Sequence, residues 1–230
     1  MNIQILQLVE GAKAARGLTV VIDVFRAFSL EAYLFAKGAE RVIPVGDVEL
    51  AYRLKRENPQ YVLAGERHGK ILDGFDMGNS PSQLLSIDVS GKTVVHTTSA
   101  GTQGIANATA ADEILGCGLV NARATAEYIR KSGADEVSLV CMGLEAIAPT
   151  EEDTLCAVYI KNLLEGRPTN LKEEIESLKH TSGAKFFDPA QREVFPHDDF
   201  AMCTDADCFD FVLKLEKNEG GLPYMMRKMV

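Results

Sequence analysis

Leu18-Thr19-Val20-Val21-Ile22-Asp23-Val24-Phe25-Arg26-Ala27 decides the fold. Its first five residues are a near-continuous apolar run, the pattern of a buried strand, and a single carboxylate, Asp23, ends it. A helical pattern then covers residues 27–37. This unit of strand, polar loop and helix recurs in both directions along the chain. Apolar runs at 41–45, 61–64, 93–95 and 137–141 alternate with helical patterns at 48–57, 81–86, 101–111, 121–131 and 151–164. Alternation of that kind requires crossover connections and predicts a three-layer α/β/α fold around a mostly parallel or mixed sheet. Ser80 before Pro81 and Asp47 before the 48–57 pattern supply helix N-caps, and Asn58-Pro59 ends the second of these helices.

Beyond Glu165 the pattern weakens. Gly166-Arg167-Pro168 interrupts it, 171–178 reads as helical, and 209–215 reads as a late strand. A single domain over 1–230 is expected, with a smaller C-terminal lobe from about 165 as the alternative.

The chain carries 33 acidic against 24 basic residues, a net charge of −9, and 46% hydrophobic residues. That balance argues against nucleic acid or an anionic membrane surface as the main partner. An anionic ligand must therefore be met locally, by arginines, backbone N–H groups or a metal ion. No apolar run reaches the length of a bilayer span and no signal-peptide core is visible, so a cytoplasmic location is expected. The five cysteines, Cys117, Cys141, Cys156, Cys203 and Cys208, contain no CxxC pair, which favours reduced thiols over disulfides or zinc.

Three polar constellations follow strand-like runs. After the first run come Asp23 and Arg26. After 61–64 come Gly65-Glu66-Arg67-His68-Gly69 and then Asn79-Ser80. After the strand at 93–95 comes Thr97-Thr98-Ser99-Ala100-Gly101-Thr102. In open α/β sheets ligands bind beyond the carboxyl ends of the strands, so such loops can converge on one crevice. The hydroxyl-rich turn, placed between a strand end and a helix start, suits an anion, and equally suits a helix cap. Asp23 is either a functional carboxylate or a cap for the helix at 27. His68 and His96 are general-acid candidates or ordinary histidines.

Thr150-Glu151-Glu152-Asp153 places three consecutive carboxylates at a helix start. They read as first-turn acids with a Thr cap, or as ligands for a hard divalent cation that relieves their repulsion. Phosphate-loop, dinucleotide and Gly-x-Ser-x-Gly motifs are absent. Phe25 stands where haloacid-dehalogenase-type phosphatases have a second aspartate.

Taken together, Val21-Ile22-Asp23-Val24-Phe25-Arg26-Ala27, Gly65-Glu66-Arg67, Gly74-Phe75-Asp76-Met77-Gly78-Asn79-Ser80-Pro81, the Thr97–Thr102 turn and Glu152-Asp153-Thr154-Leu155-Cys156-Ala157 resemble the 2-phosphosulfolactate phosphatase (ComB) family. The resemblance implies a Mg²⁺-dependent hydrolase converting 2-phospho-3-sulfolactate to 3-sulfolactate and phosphate in coenzyme M biosynthesis, and a homodimer. Carried onto these residues, it makes Asp23, Glu66 and Asp153 catalytic. Asp23, Glu152 and Asp153 become metal ligands. Arg26, Arg67, Asn79, Ser80, Thr97, Thr98, Ser99, Gly101 and Thr102 become substrate-binding. The rivals are a phosphatase for another small phosphorylated acid, a covalent route through Cys156, and a non-catalytic binder of sulfonated or phosphorylated metabolites.

Overall fold

The structure, a computed structural model, describes residues 1–217 and 221–230. Its strands are β1 (Asn2–Gln7), β2 (Gly17–Ile22), β3 (Arg41–Pro44), β4 (Val62–Arg67), β5 (Lys70–Ile71), β6 (Thr93–Thr97), β7 (Ala111–Cys117), β8 (Glu136–Cys141), β9 (Phe211–Glu216) and β10 (Tyr224–Met229). They form a sheet of order β1-β8-β2-β7-β9-β10-β3-β6-β4-β5. Two parallel blocks make up most of it: β1-β8-β2-β7 and β3-β6-β4. Between them lies the antiparallel β9–β10 pair, which meets β7 on one side and β3, through Met225 and Val42, on the other. The sheet is therefore mixed and mostly parallel.

Helices cover both faces, as strand alternation dictates. Val21 points into a core shared with α1 (Leu8–Ala14), α2 (Ala27–Ala36), α4 (Pro81–Leu84) and α5 (Gly101–Asn107). Its neighbours Val20 and Ile22 point the other way, towards α6 (Ala122–Ser132) and α7 (Glu151–Glu165). In the second block Ile43, Leu63 and Val95 pack against α3 (Val48–Glu57). The architecture is three-layer α/β/α.

Six elements escaped the sequence reading: β1, α1, β5, β7, β10 and the helix α9 (His197–Thr204). The expected helix 101–111 stops at Asn107, and Ala111 already opens β7. Alanines favour a helix locally, but pairing along β2 from Gly17–Ala111 to Ile22–Cys117 overrides that preference. The late strand starts at Phe211 rather than 209.

After α7 the chain forms α8 (Leu171–Leu178), two short 3₁₀ turns at Ala184–Phe187 and Pro189–Gln191, and α9. Leu178, Phe186 and Phe200 form a small apolar cluster that packs on Phe25, Leu155 and Phe195. The chain then returns to the middle of the sheet as β9. Among the described residues no helix is long and apolar enough to cross a membrane. All five cysteines are free.

Candidate active site

The loops beyond the carboxyl ends of β2, β4, β6 and β8 meet at a cavity of about 90 Å³. Asp23, Arg26, Glu66, Asn79, Ser99 and Glu152 line it, together with His68, Glu145, Lys185 and Phe195. A neighbouring cavity of about 320 Å³ shares Arg26, Gly69 and Asn79 with it.

Asp23 is buried at the junction of two helix starts. One of its oxygens accepts from the Ala27 N–H at 3.1 Å, so it does cap α2. The other lies 2.9 Å from where a Cβ on residue 101 would sit, and this is why that position is glycine. Burial, helped by the charges of Glu66 and Glu152, pushes the Asp23 pKa up to about 6, against the lowering effect of the Ala27 and Gly101 N–H groups. Asp23 therefore caps α2 and at the same time lines the cavity.

The three carboxylates at the start of α7 have three fates. Glu151 is exposed. Asp153 is buried, and its two oxygens accept from the N–H groups of Val24 and Gly143, each at 2.8 Å. It clamps the end of β2 to the end of β8. Burial, then Glu152 and Asp23, hold its pKa well above the usual carboxylate range. Glu152, also buried, faces the cavity, and its Oε2 has no hydrogen-bond partner among the described residues. The Thr150 side chain makes no capping hydrogen bond, so the acidic run is not a capping box.

The expected metal triad Asp23–Glu152–Asp153 is therefore not assembled as such. Asp153 spends its oxygens on backbone N–H groups, and among the described residues no three metal-binding side chains close into a preformed cage. What remains at the cavity is a smaller acidic set, with one oxygen of Glu152 left over.

Arg26 is buried and its Nη1 donates to Asp199 at 2.7 Å, with Phe195 beneath the guanidinium at 5.0 Å. Asp199, itself fully buried, also accepts from the Ser80 hydroxyl and the Ser82 N–H at 2.9 Å each. Ser80 thus serves Asp199 and caps α4, and lines only the larger neighbouring cavity. Asn79 lines both cavities. Its Oδ1 lies 3.2 Å from His96 Nε2, and His96 Nδ1 lies 2.8 Å from Glu31 Oε1, with His96 and Glu31 both fully buried. His96 is a positioning group for Asn79. His68 is exposed at the cavity mouth, 2.9 Å from Glu145.

The hydroxyl-rich turn is mostly self-contained. Thr98 Oγ1 accepts from the Thr102 N–H at 3.2 Å, and Thr102 Oγ1 accepts from the Thr98 N–H at 3.1 Å while donating to the Thr98 carbonyl. Thr97 Oγ1 accepts from Arg67, whose guanidinium also donates to the carbonyls of Glu66 and Gly46. Thr97, Thr98, Thr102 and Arg67 build the loop and do not line the cavity. Ser99 does, and its N–H donates to Glu66 Oε1 at 2.7 Å. The Gly69 N–H donates to the other Glu66 oxygen at 2.7 Å, so Glu66 ties two of the three constellations together.

Cys156 is buried outside the cavity, and burial with the neighbouring Cys117 raises its thiol pKa well above the ordinary value. A neutral buried thiol is a poor nucleophile. Sequence reasoning missed Lys185, Phe195 and Asp199, which come from the irregular stretch before and within α9. The one available signal was the run of Phe186, Phe187, Phe195 and Phe200 in an otherwise polar tail.

Residues 3–218 match the family described as 2-phosphosulpholactate phosphatase. A Bacillus subtilis (strain 168) protein described as a probable 2-phosphosulfolactate phosphatase is 32% identical over 234 residues, covering 100% of both chains. Counterparts with the same description from Caldicellulosiruptor saccharolyticus and Caldanaerobacter subterraneus subsp. tengcongensis are 39% and 35% identical. They cover 73% and 86% of this chain, and 71% and 87% of their own. With a match over nearly its whole length and a cavity lined by the residues that carried the resemblance, the chain belongs to the 2-phosphosulpholactate phosphatase family, a family of phosphoric monoester hydrolases.

Proposed function

We propose that this chain hydrolyses 2-phospho-3-sulfolactate to 3-sulfolactate and phosphate, with a Mg²⁺ ion held by Asp23 and Glu152. The observation that carries the reading is the unpartnered buried oxygen of Glu152 on the same cavity as Asp23. A buried carboxylate oxygen without a donor is costly, and a hard cation offsets that cost. Charge balance points the same way. The cavity is lined by the carboxylates of Asp23, Glu66, Glu145 and Glu152 against the cations Arg26 and Lys185, so a multiply anionic substrate needs a further positive charge there. One or two carboxylates completed by water and phosphate oxygens is the usual arrangement for Mg²⁺. When bound, the ion supplies neutralisation and polarisation of the phosphoryl group.

The protein's own groups contribute position. Arg26, fixed by Asp199, keeps further N–H donors for phosphate oxygens. Asn79, oriented through His96 and Glu31, presents its amide to the same space. Glu66 fixes the two loops on which Ser99 and Gly69 stand. Phosphoryl transfer passes through a loose transition state that places little demand on covalent chemistry, so this positioning and charge is what the site must supply. The product is, by the same resemblance, a coenzyme M precursor. The test is phosphate release from 2-phosphosulfolactate by enzyme stripped with EDTA and then given Mg²⁺. Activity is expected to vanish and return, and full turnover after verified metal removal defeats the metal assignment.

A further inference from the structure

We propose that Lys185 recognises the sulfonate of the substrate, making the capping segment around Ala184–Phe187 the part of the protein that selects a sulfonated acid. The proposal rests on the substrate reading above and adds the group that reads its far end.

The other two basic side chains at the cavity have anionic partners already. Arg26 pairs with Asp199 at 2.7 Å and His68 with Glu145 at 2.9 Å. Lys185, also on the cavity, makes no ion pair or hydrogen bond within the described residues. Its ammonium instead lies over three aromatic faces, Phe195 at 5.2 Å and Phe25 and Phe186 at 5.6 Å each. Ring faces attract a cation but do not saturate its three N–H donors. The half-buried ammonium is thus positioned and incompletely satisfied. Burial draws its pKa down, the response of a cation short of water, while Glu152 and Asp23 act in the opposite direction.

Lys185 and Glu152 line one cavity without pairing, each with hydrogen-bonding capacity to spare. A ligand that fits both must bring a cation to the glutamate and an anion to the lysine. A phosphorylated acid whose phosphate sits on the metal and whose second anionic group reaches the lysine satisfies both. The aromatic surround favours a diffuse, weakly hydrated monoanion for that second group, because such an ion loses least on leaving water. A sulfonate has that character to a greater degree than a carboxylate.

The experiment compares the parent enzyme, Lys185→Met and Lys185→Arg on 2-phosphosulfolactate and on 2-phospholactate, which has a methyl group in place of the sulfomethyl. Loss of a charge-assisted contact is worth about 10- to 100-fold. The ratio of kcat/KM for the sulfonated over the plain substrate is expected to fall by that factor in Lys185→Met, carried by KM, with partial recovery in Lys185→Arg. An unchanged ratio in a folded Lys185→Met protein, or an equal loss on both substrates, overturns the proposal. Binding of 3-sulfolactate by calorimetry keeps the two readings apart. A parent that binds it through Lys185 but hydrolyses neither ester breaks the proposed activity and supports this inference. A parent that binds it equally well without Lys185, or does not bind it, breaks the inference.

Discussion

The turn at Thr97–Ser99 and the capping stretch from Ala184 to Thr204 supply side chains to one cavity, and they differ in how their polar groups are spent. In the turn nearly every hydroxyl closes a local hydrogen bond, Thr98 with Thr102 and Thr97 with Arg67, and of these hydroxyl side chains Ser99 alone lines the cavity. In the cap, Asp199 is spent on Arg26 and Ser80, and Lys185 has no anionic partner among the described residues. The polar-rich segment is scaffold and the aromatic-rich segment carries the free charge. Side-chain type shows what a loop can bind, whereas the hydrogen-bond inventory shows what it still has available.

The largest effects should separate Glu152 from its neighbour Asp153. Asp23→Asn and Glu152→Gln keep shape and remove charge from the proposed metal ligands, so turnover is expected to fall about 10³-fold or more, with little loss of stability in Glu152→Gln, whereas Asp23→Asn also turns an amide N–H towards the Ala27 or Gly101 donor. Asp153→Asn places an amide N–H against the donors of Val24 or Gly143, and its first consequence should be a lower Tm, by the equivalent of about 2–4 kcal/mol. Thermal melts and steady-state kinetics on the three variants test the division. An Asp153→Asn protein of unchanged Tm that has lost all activity would return Asp153 to the catalytic set.

Next comes the cap. Asp199→Ala leaves the buried Arg26 guanidinium and the Ser80 hydroxyl without their acceptor. Breaking a buried pair from one side costs about 3–5 kcal/mol, so urea midpoints should drop sharply and KM should rise as Arg26 loses its alignment. If stability and KM both stay at parent values, the cap does not position Arg26.

Much of this was legible in the sequence where strand and site coincide. The run ending in Asp23 is buried on both faces and so is continuously apolar, and its carboxylate stood out because nothing else there is charged. Glu66, Asn79 and Ser99 were found because each follows a strand that could be read. The element β1 was missed because an edge strand of six residues, Asn2-Ile3-Gln4-Ile5-Leu6-Gln7, buries too little to show a long pattern. Lys185 and Asp199 were missed for a different reason. They sit in 3₁₀ turns and a short helix whose packing is set by aromatic contacts distant in sequence, which no local period reports. Arg67, Thr97, Thr98 and Thr102 were read as anion contacts, and the structure places them off the cavity. Their type suits an anion, and the chain uses them to fasten its own backbone.

A smaller effect is expected at the turn itself. Thr98→Val removes an acceptor from the Thr102 N–H and should cost about 1–2 kcal/mol of stability, with kcat/KM changing by no more than about threefold. Ser99→Ala is the contrast, because Ser99 lines the cavity, 3.3 Å from Glu66, and its loss should be read in kinetics more than in melting. Reversal of that order would mean that Thr98 meets the substrate after all.

The effect confined to one pH range is a change of melting temperature, and it ties the metal to the turn through Asp23. The folded protein holds the Asp23 proton up to about pH 6, above the ordinary value of 3.8 that applies when the chain is unfolded. Between those two values the unfolded chain binds fewer protons than the folded one, so stability falls as pH rises through that window. Above it the carboxylate is charged in both states and the full penalty applies, on the order of 3 kcal/mol. Asp153, shifted upward by burial in the same way, adds to the fall. A cation bound at Asp23 and Glu152 offsets this penalty only where Asp23 has lost its proton. Mg²⁺ at about a hundred times its Kd should therefore raise Tm by about 5 °C at pH 7.5 and by much less near pH 5. In Glu152→Gln the rise at pH 7.5 should shrink. A shift of equal size at both pH values, or one that survives the substitution, would place the ion away from Asp23 and leave the unpartnered oxygen of Glu152 to be satisfied by another group.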